Sequence, residues 1–134
     1  MKAEFRKLLL IVMAVLLLLT GCAAPAEQAN SYRQISMDAA IDMMESEQDY
    51  ILLDVRTPEE FRERRIPGSI NIPNETIGTA EIPELPDKGQ LILIYCRSGN
   101  RSKQASEKLV SLGYTNIVEF GGINDWPGDT ISGA

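Results

Sequence analysis

Histidine is missing from all 134 residues, and cysteine occurs twice, at Cys22 and Cys96. A histidine metal site and a cysteine–histidine catalytic pair are therefore excluded. Positive charge is in deficit, with 13 Lys and Arg against 19 Asp and Glu, a net charge of -6. That balance argues against a nucleic-acid partner, which needs a clustered basic face. An anionic substrate would have to be drawn in by a local site. No apolar stretch reaches the roughly 20 residues that span a bilayer; the longest, Leu8 to Leu19, has 12. Internal repeats are also lacking. What remains is room for one domain, with an apolar fraction of 44% that can supply a core.

The stretch that organises the chain is Leu91-Ile-Leu-Ile-Tyr-Cys-Arg-Ser-Gly-Asn-Arg-Ser-Lys103. Its apolar half reads as a strand buried on both faces, which places Cys96 at a carboxyl-terminal strand end. In open α/β sheets that edge is where ligands bind. The loop Arg97-Ser98-Gly99-Asn100-Arg101 is small and polar, and a helix over Ser102 to Leu112 follows it. Its backbone N–H groups, the helix macrodipole and two guanidinium groups all favour a thiolate, the nucleophilic form of cysteine. The plainer reading of Cys96 is a small buried hydrophobe. Its position and neighbours favour the reactive thiol.

Along the rest of the chain, Ser36 caps a helix over Met37 to Glu45, with Ala40, Ile41 and Met44 facing inward. Tyr50 to Arg56 reads as a buried strand. Thr57-Pro-Glu-Glu60 is a capping box opening a short helix that runs through Arg65. Ile66-Pro-Gly68 is turn chemistry, and Ser69 to Ile72 alternates as a short strand does. Residues 74–90 carry two prolines and two glycines and read mainly as loop, with at most one short helical turn. Ala105, Leu109 and Leu112 share one face of the helix after the loop, and Gly113 stands where a C-cap belongs. Asn116 to Phe120 is a last strand, broken by Gly121-Gly122, and Trp126 is read as a packing residue. Strands alternating with helices give an α/β fold: a small, mostly parallel sheet with helices on both faces.

Two resemblances add to this reading. Lys2, Arg6 and Lys7 before the apolar run give the charged and hydrophobic regions of a secretory signal peptide. Leu19-Thr-Gly-Cys22 resembles the lipobox of bacterial lipoproteins. The resemblance implies a signal peptide over 1–21, lipid on Cys22, a flexible tether over 22–31 and an extracytoplasmic, membrane-anchored protein; the competing reading is an ordinary signal peptide cut at a small residue. Loss of Lys2, Glu4, Arg6 and Lys7 removes a net +2 from the chain's -6 and leaves the mature part at -8. A lipid-modified Cys22 has no thiol for a disulfide with Cys96.

Residues 32–130 are identified as resembling a single-domain rhodanese. The match rests on Asp54-Val-Arg56, Thr57-Pro-Glu-Glu-Phe61, Ile66-Pro-Gly-Ser-Ile-Asn-Ile-Pro73, Cys96-Arg-Ser-Gly-Asn-Arg101, and Gly121-Gly-Ile123 with Trp126. It implies a sulfurtransferase in which Cys96 takes sulfane sulfur from a donor such as thiosulfate. Cys96 would hold it as a persulfide and pass it to cyanide or a thiol, with no metal or organic cofactor. The loop residues 97–101 would bind the substrate, with Arg97 matching the cationic residue of thiosulfate-preferring relatives. Asp54 and Arg56 are expected to support the site, through an ion pair involving Glu60 or a contact beneath the loop. Arg65 departs from the family, which usually has histidine there, in a turn away from the cysteine loop. A monomer is expected. Two alternatives stay open: a non-catalytic persulfide carrier or partner-binding module, and a phosphatase or arsenate reductase. The last needs cysteine, five residues and then arginine, and here Ser102 occupies that place.

Overall fold

In the computed structural model of the chain, which describes Glu4 and residues 31–134, alternation along one strand decides the middle of the molecule. Strand β4 (Leu91–Cys96) sends Ile92, Ile94 and Cys96 into one core cluster and Leu93 and Tyr95 into the other. All five are 1% exposed or less. A strand flanked by apolar layers on both sides has no polar face to show. The leader over 1–21, the lipidation at Cys22 and the tether over 22–31 lie outside the described residues, apart from Glu4 and Ser31.

Around β4 the sheet is wholly parallel, in the order β1-β5-β4-β2-β3. The other strands are β1 (Arg33–Gln34), β2 (Tyr50–Asp54), β3 (Ile70–Asn71) and β5 (Ile117–Gly122). Helix α1 (Met37–Ser46) packs Ala40, Met37, Met43 and Met44 on the Leu93–Tyr95 face, where part-buried Trp126 also packs. Helix α3 (Asn100–Ser111) packs Ala105 and Leu109 on the Ile92–Cys96 face. Helices thus cover both faces, as parallel sheets require. Because β2 leads outward to β3 and β4 outward to β5, the chain reverses direction between the carboxyl ends of β2 and β4. Crevices for ligands open at such points.

Where the boundaries differ from the sequence reading, a specific interaction explains the difference. Helix α2 (Pro58–Glu63) starts on the expected capping box but stops before Arg65. Arg65 instead exchanges backbone hydrogen bonds with Ile131 at 2.9 and 3.0 Å, which needs extended backbone. Helix α3 begins two residues before Ser102, because Gly99 turns the chain at φ 112° and frees Asn100 to start the helix. Strand β5 passes through the glycine pair instead of breaking at it. Ile94 pairs with Glu119 but Cys96 with Gly122, so β5 holds an extra residue at a bulge, with Gly121 at φ 96°. Strand β1, two exposed residues, has no apolar period to announce it.

A part-buried ion pair joins α2 to α3. The Arg101 guanidinium donates to both Glu60 carboxylate oxygens, at 2.7 and 2.9 Å, with both side chains about a quarter exposed. Chiefly this bond holds the Glu60 carboxyl down at about 2. A depressed carboxyl stabilises the fold above its unfolded value, and the contribution disappears as pH falls through the folded one. Discounted for solvent, the charge of Glu60 contributes about 1–2 kcal/mol at neutral pH. Glu60→Gln keeps an acceptor for the capping box and removes the charge. Urea unfolding should find it less stable than wild type by that amount at pH 7, with the gap narrowing below about pH 4.5 and closing below about pH 2. A gap constant from pH 7 to 2 would show that the charge of Glu60 carries no stability.

Candidate active site

Strand β4 delivers Cys96 to the carboxyl edge of the sheet, the residue only 1% exposed. The loop then curls back over it. Gly99 N–H donates to Sγ at 3.0 Å, and the Ser102 hydroxyl lies 3.4 Å from it. Burial pushes the Cys96 thiol up, but the Ser102 hydroxyl and the N–H groups of Ser102, Gly99 and Ser98 more than offset this, so the net direction is down. The guanidinium of Arg101 adds a favourable field. These are the surroundings of a thiolate held by oriented dipoles, with the amino end of α3 beside it.

The loop can lie this close because β5 ends on glycine. A Cβ on Gly122 would sit 2.0 Å from the Arg97 carbonyl oxygen and 2.5 Å from Ser98 N. No side chain fits there. Below the loop, Ser102 donates its hydroxyl proton among three close acceptors: Glu119 Oε1 at 2.6 Å, Gly99 O at 2.9 Å and Gly121 O at 3.4 Å. Glu119 Oε1 also accepts Gly121 N–H at 2.8 Å, within the bulge.

The expected site residues fall into three groups. Gly99 is buried against the sulfur and Ser98 contributes its amide, while Arg97 and Asn100 are exposed at the rim. Arg101 points away to Glu60. Asp54 and Arg56 form a buried pair beneath, with Arg56 Nη2 at 2.6 Å from Asp54 Oδ2 and the Arg56 backbone N–H donating to Oδ1 at 2.9 Å. Arg56 also donates to the Arg64 carbonyl at 2.5 Å; its ion-pair partner is Asp54, while Glu60 pairs with Arg101. Beside the loop a cavity of about 280 Å³ is lined by Arg56, Glu60, Arg64, Arg97 and Asn124. A roomier hollow, about 380 Å³, opens by Leu91 and Asn116 at the amino ends of the strands, away from Cys96.

Two residues that touch this arrangement were given no role at the sulfur by the sequence reading: Ser102, read as a helix start and as the residue replacing a phosphatase arginine, and Glu119. The signal for Glu119 was present, since it is a lone charge inside the apolar run Ile117-Val-Glu-Phe120 and is only 3% exposed. A buried charge on a core-facing strand position demands a partner. Ser102 supplies one.

The chain is 37% identical over 73 residues to the thiosulfate sulfurtransferase PspE of Escherichia coli (strain K12), covering 54% of this chain and 70% of that protein. It is 32% identical over 108 residues to the putative sulfur carrier protein YrkF of Bacillus subtilis (strain 168), covering 78% of this chain but only 56% of that protein. A solved structure described as a rhodanese with anions from E. coli superimposes with a TM-score of 0.57 at 33% identity, over 63% of this chain and 99% of that one. Residues 36–129 match the family described as the rhodanese-like domain, and a buried cysteine under a loop of N–H donors at the sheet's carboxyl edge is what those residues build: the chain belongs to the rhodanese-like family.

Proposed function

We propose that this protein is a sulfurtransferase of the thiosulfate type, working as a monomer through a Cys96 persulfide. The observation that carries the reading is the sulfur itself, buried yet met by Gly99 N–H at 3.0 Å and ringed by further donors. The Cys96 thiolate attacks the outer sulfur of thiosulfate; an S–S bond to Cys96 forms, and sulfite leaves with the electron pair of the bond that breaks. Cyanide or a thiolate then attacks the outer persulfur, and Cys96 leaves as thiolate. The charge sits on Sγ in the thiolate and on the outer sulfur, about 2.05 Å away, in the persulfide, so the donors gathered at Sγ lie close to the charge at both stages. The relatives named for sulfur transfer and sulfur carriage support this chemistry.

The phosphatase alternative loses ground on geometry. Ser102 stands where such a loop needs arginine, and Arg101 is turned out to Glu60. The carrier alternative keeps the same cysteine and differs only in turnover. After thiosulfate treatment, the peptide carrying Cys96 should gain about 32 Da, one sulfur, as the persulfide intermediate requires. Thiocyanate should form catalytically with cyanide, and Cys96→Ala should remain folded but abolish both. Near wild-type turnover by Cys96→Ala would end the proposal, whereas loading without turnover would favour the carrier.

For donor choice we propose Arg97 as the anion-binding side chain. It is exposed at the rim and lines the cavity beside the loop. Among the described residues no ion-pair partner engages it. Arg97→Ala should lower kcat/KM for thiosulfate by about 10- to 150-fold, the range of one hydrogen bond to a charged group. Salt should inhibit wild type more than the variant. Unchanged kinetics and unchanged salt dependence would assign the anion to the loop amides alone.

For placement we propose the lipobox reading of Leu19 to Cys22, with the domain tethered outside the cytoplasm. The described residues contain no helix long and apolar enough to cross a membrane. Stable anchoring takes more than one acyl chain, so the mature protein should stay with membranes through a salt wash, and Cys22→Ser should abolish the lipid modification, read by mass spectrometry. Unmodified, soluble wild type recovered from cells would overturn this.

A further inference from the structure

A site without histidine still has to take the proton off its thiol, and the chain Cys96–Ser102–Glu119 offers the path. Ser102 has one hydroxyl proton, and Glu119 Oε1 at 2.6 Å is its nearest acceptor. With the proton committed there, the serine oxygen presents a lone pair to the Cys96 S–H at 3.4 Å. Cys96, Ser102 and Glu119 are respectively 1%, 0% and 3% exposed, so water is excluded along the path. We propose that Glu119 accepts the Cys96 proton through Ser102, acting as the positioning and proton-holding residue of this site. This deepens the reading of Cys96 as the sulfur-transfer nucleophile and rests on it.

The step balances. The S–H bond breaks and its proton forms a new O–H bond on Ser102, while the proton Ser102 held passes to Glu119 Oε1. Thiol plus carboxylate become thiolate plus carboxylic acid, and the net charge of the buried cluster stays at one negative. Ser102 then donates to the sulfur, in keeping with its share in drawing the thiol down. Two anions a few ångströms apart and out of water would repel strongly, so moving the proton within the cluster is favoured over losing it. Persulfide and thiolate are both anions, so the proton can stay on Glu119 through both half-reactions.

Few other charges face the cluster. In the sheet Glu119 lies between Gln34 on β1 and Ile94 on β4, neither of which titrates. Helix α3 contributes Arg101, whose charge is balanced by Glu60 on α2. Asp54 on β2 is engaged by Arg56. Helix α1 covers the opposite face.

The test is iodoacetamide alkylation of the purified protein across about pH 4.5 to 10, read on the peptide that carries Cys96, since thiolate and not thiol reacts. A pair sharing a proton gives wild type two rate limbs, one reaching into acid. Glu119→Gln should lose the acid limb, reacting about tenfold slower than wild type near pH 6 and equally fast near pH 10. Ser102→Ala should lose it too, with Glu119 still in place. If Glu119→Gln reacts as fast or faster near pH 6, Glu119 is a fixed buried anion and the proposal fails. A wild-type profile for Ser102→Ala also overturns it, and that variant decides alone if Glu119→Gln does not fold by circular dichroism. Loss of thiocyanate formation in wild type with the acid limb intact would defeat the sulfurtransferase reading and leave the relay standing.

Discussion

A sulfur atom with 1% of its residue's surface exposed can carry negative charge only where N–H and O–H groups replace the water it has lost. That constraint organises the carboxyl edge of this sheet. The Cys96 loop must fold back within 3.0 Å of its own cysteine, which requires Gly99 at positive φ and the start of α3 immediately after it. It must also rest on β5, which requires glycine at position 122, where any Cβ would meet the Arg97 carbonyl. Local backbone freedom and a tertiary contact therefore serve one electrostatic end. The bulge in β5 belongs to the same solution, because it turns Gly121 N–H toward the Glu119 carboxylate under the loop.

The parts legible in the sequence are those governed by short-range rules. The buried strand Leu91–Cys96 is an apolar run, and the start of α2 is a complete capping box, with Thr57 Oγ1 accepting Glu60 N–H at 3.3 Å and Glu60 accepting Thr57 N–H at 3.0 Å. Ser36 caps α1 through Ala39 N–H. The parts that were not legible depend on partners distant in the chain. Glu60 and Arg101 are 41 residues apart, and nothing in either segment says they meet. Arg65 leaves its helix for Ile131, and Gly121-Gly122 continues a strand because Gly122 pairs with Cys96 across the bulge. Glu119 was missed for a related reason: a single charge in an apolar strand announces a demand for a partner without identifying which one.

The charges around the loop divide by reach. Asp54 and Arg56 are held at the end of β2, and Asn71 Nδ2 donates to the carbonyls of both at 3.0 and 2.9 Å, so this pair fixes backbone between β2 and β3. Arg101 is clamped bidentately to Glu60 and cannot also grip a substrate without giving up two charge-assisted bonds. Arg97, at the exposed rim, bears no such commitment among the described ion pairs. On a chain of net charge -6, an incoming anion is repelled over most of the surface. An exposed guanidinium at the mouth of the loop is then the element that can reverse the sign of the field locally.

The size of the loop narrows the chemistry further. Five residues separate Cys96 from Ser102, and the turn closes with a serine oxygen 3.4 Å from the sulfur. A tetrahedral phosphate would need equatorial oxygens arrayed around an attacked phosphorus, each with its own donor, and an arginine closing the ring. Here the donors converge on the sulfur itself, and the arginine nearest the closing position faces α2. A persulfide asks for less space, since it adds one atom at about 2.05 Å from Sγ and leaves the charge close to where the thiolate already had it. Donors gathered on Sγ, with the Gly99 amide at 3.0 Å, therefore suit charge held on the cysteine sulfur or one bond beyond it.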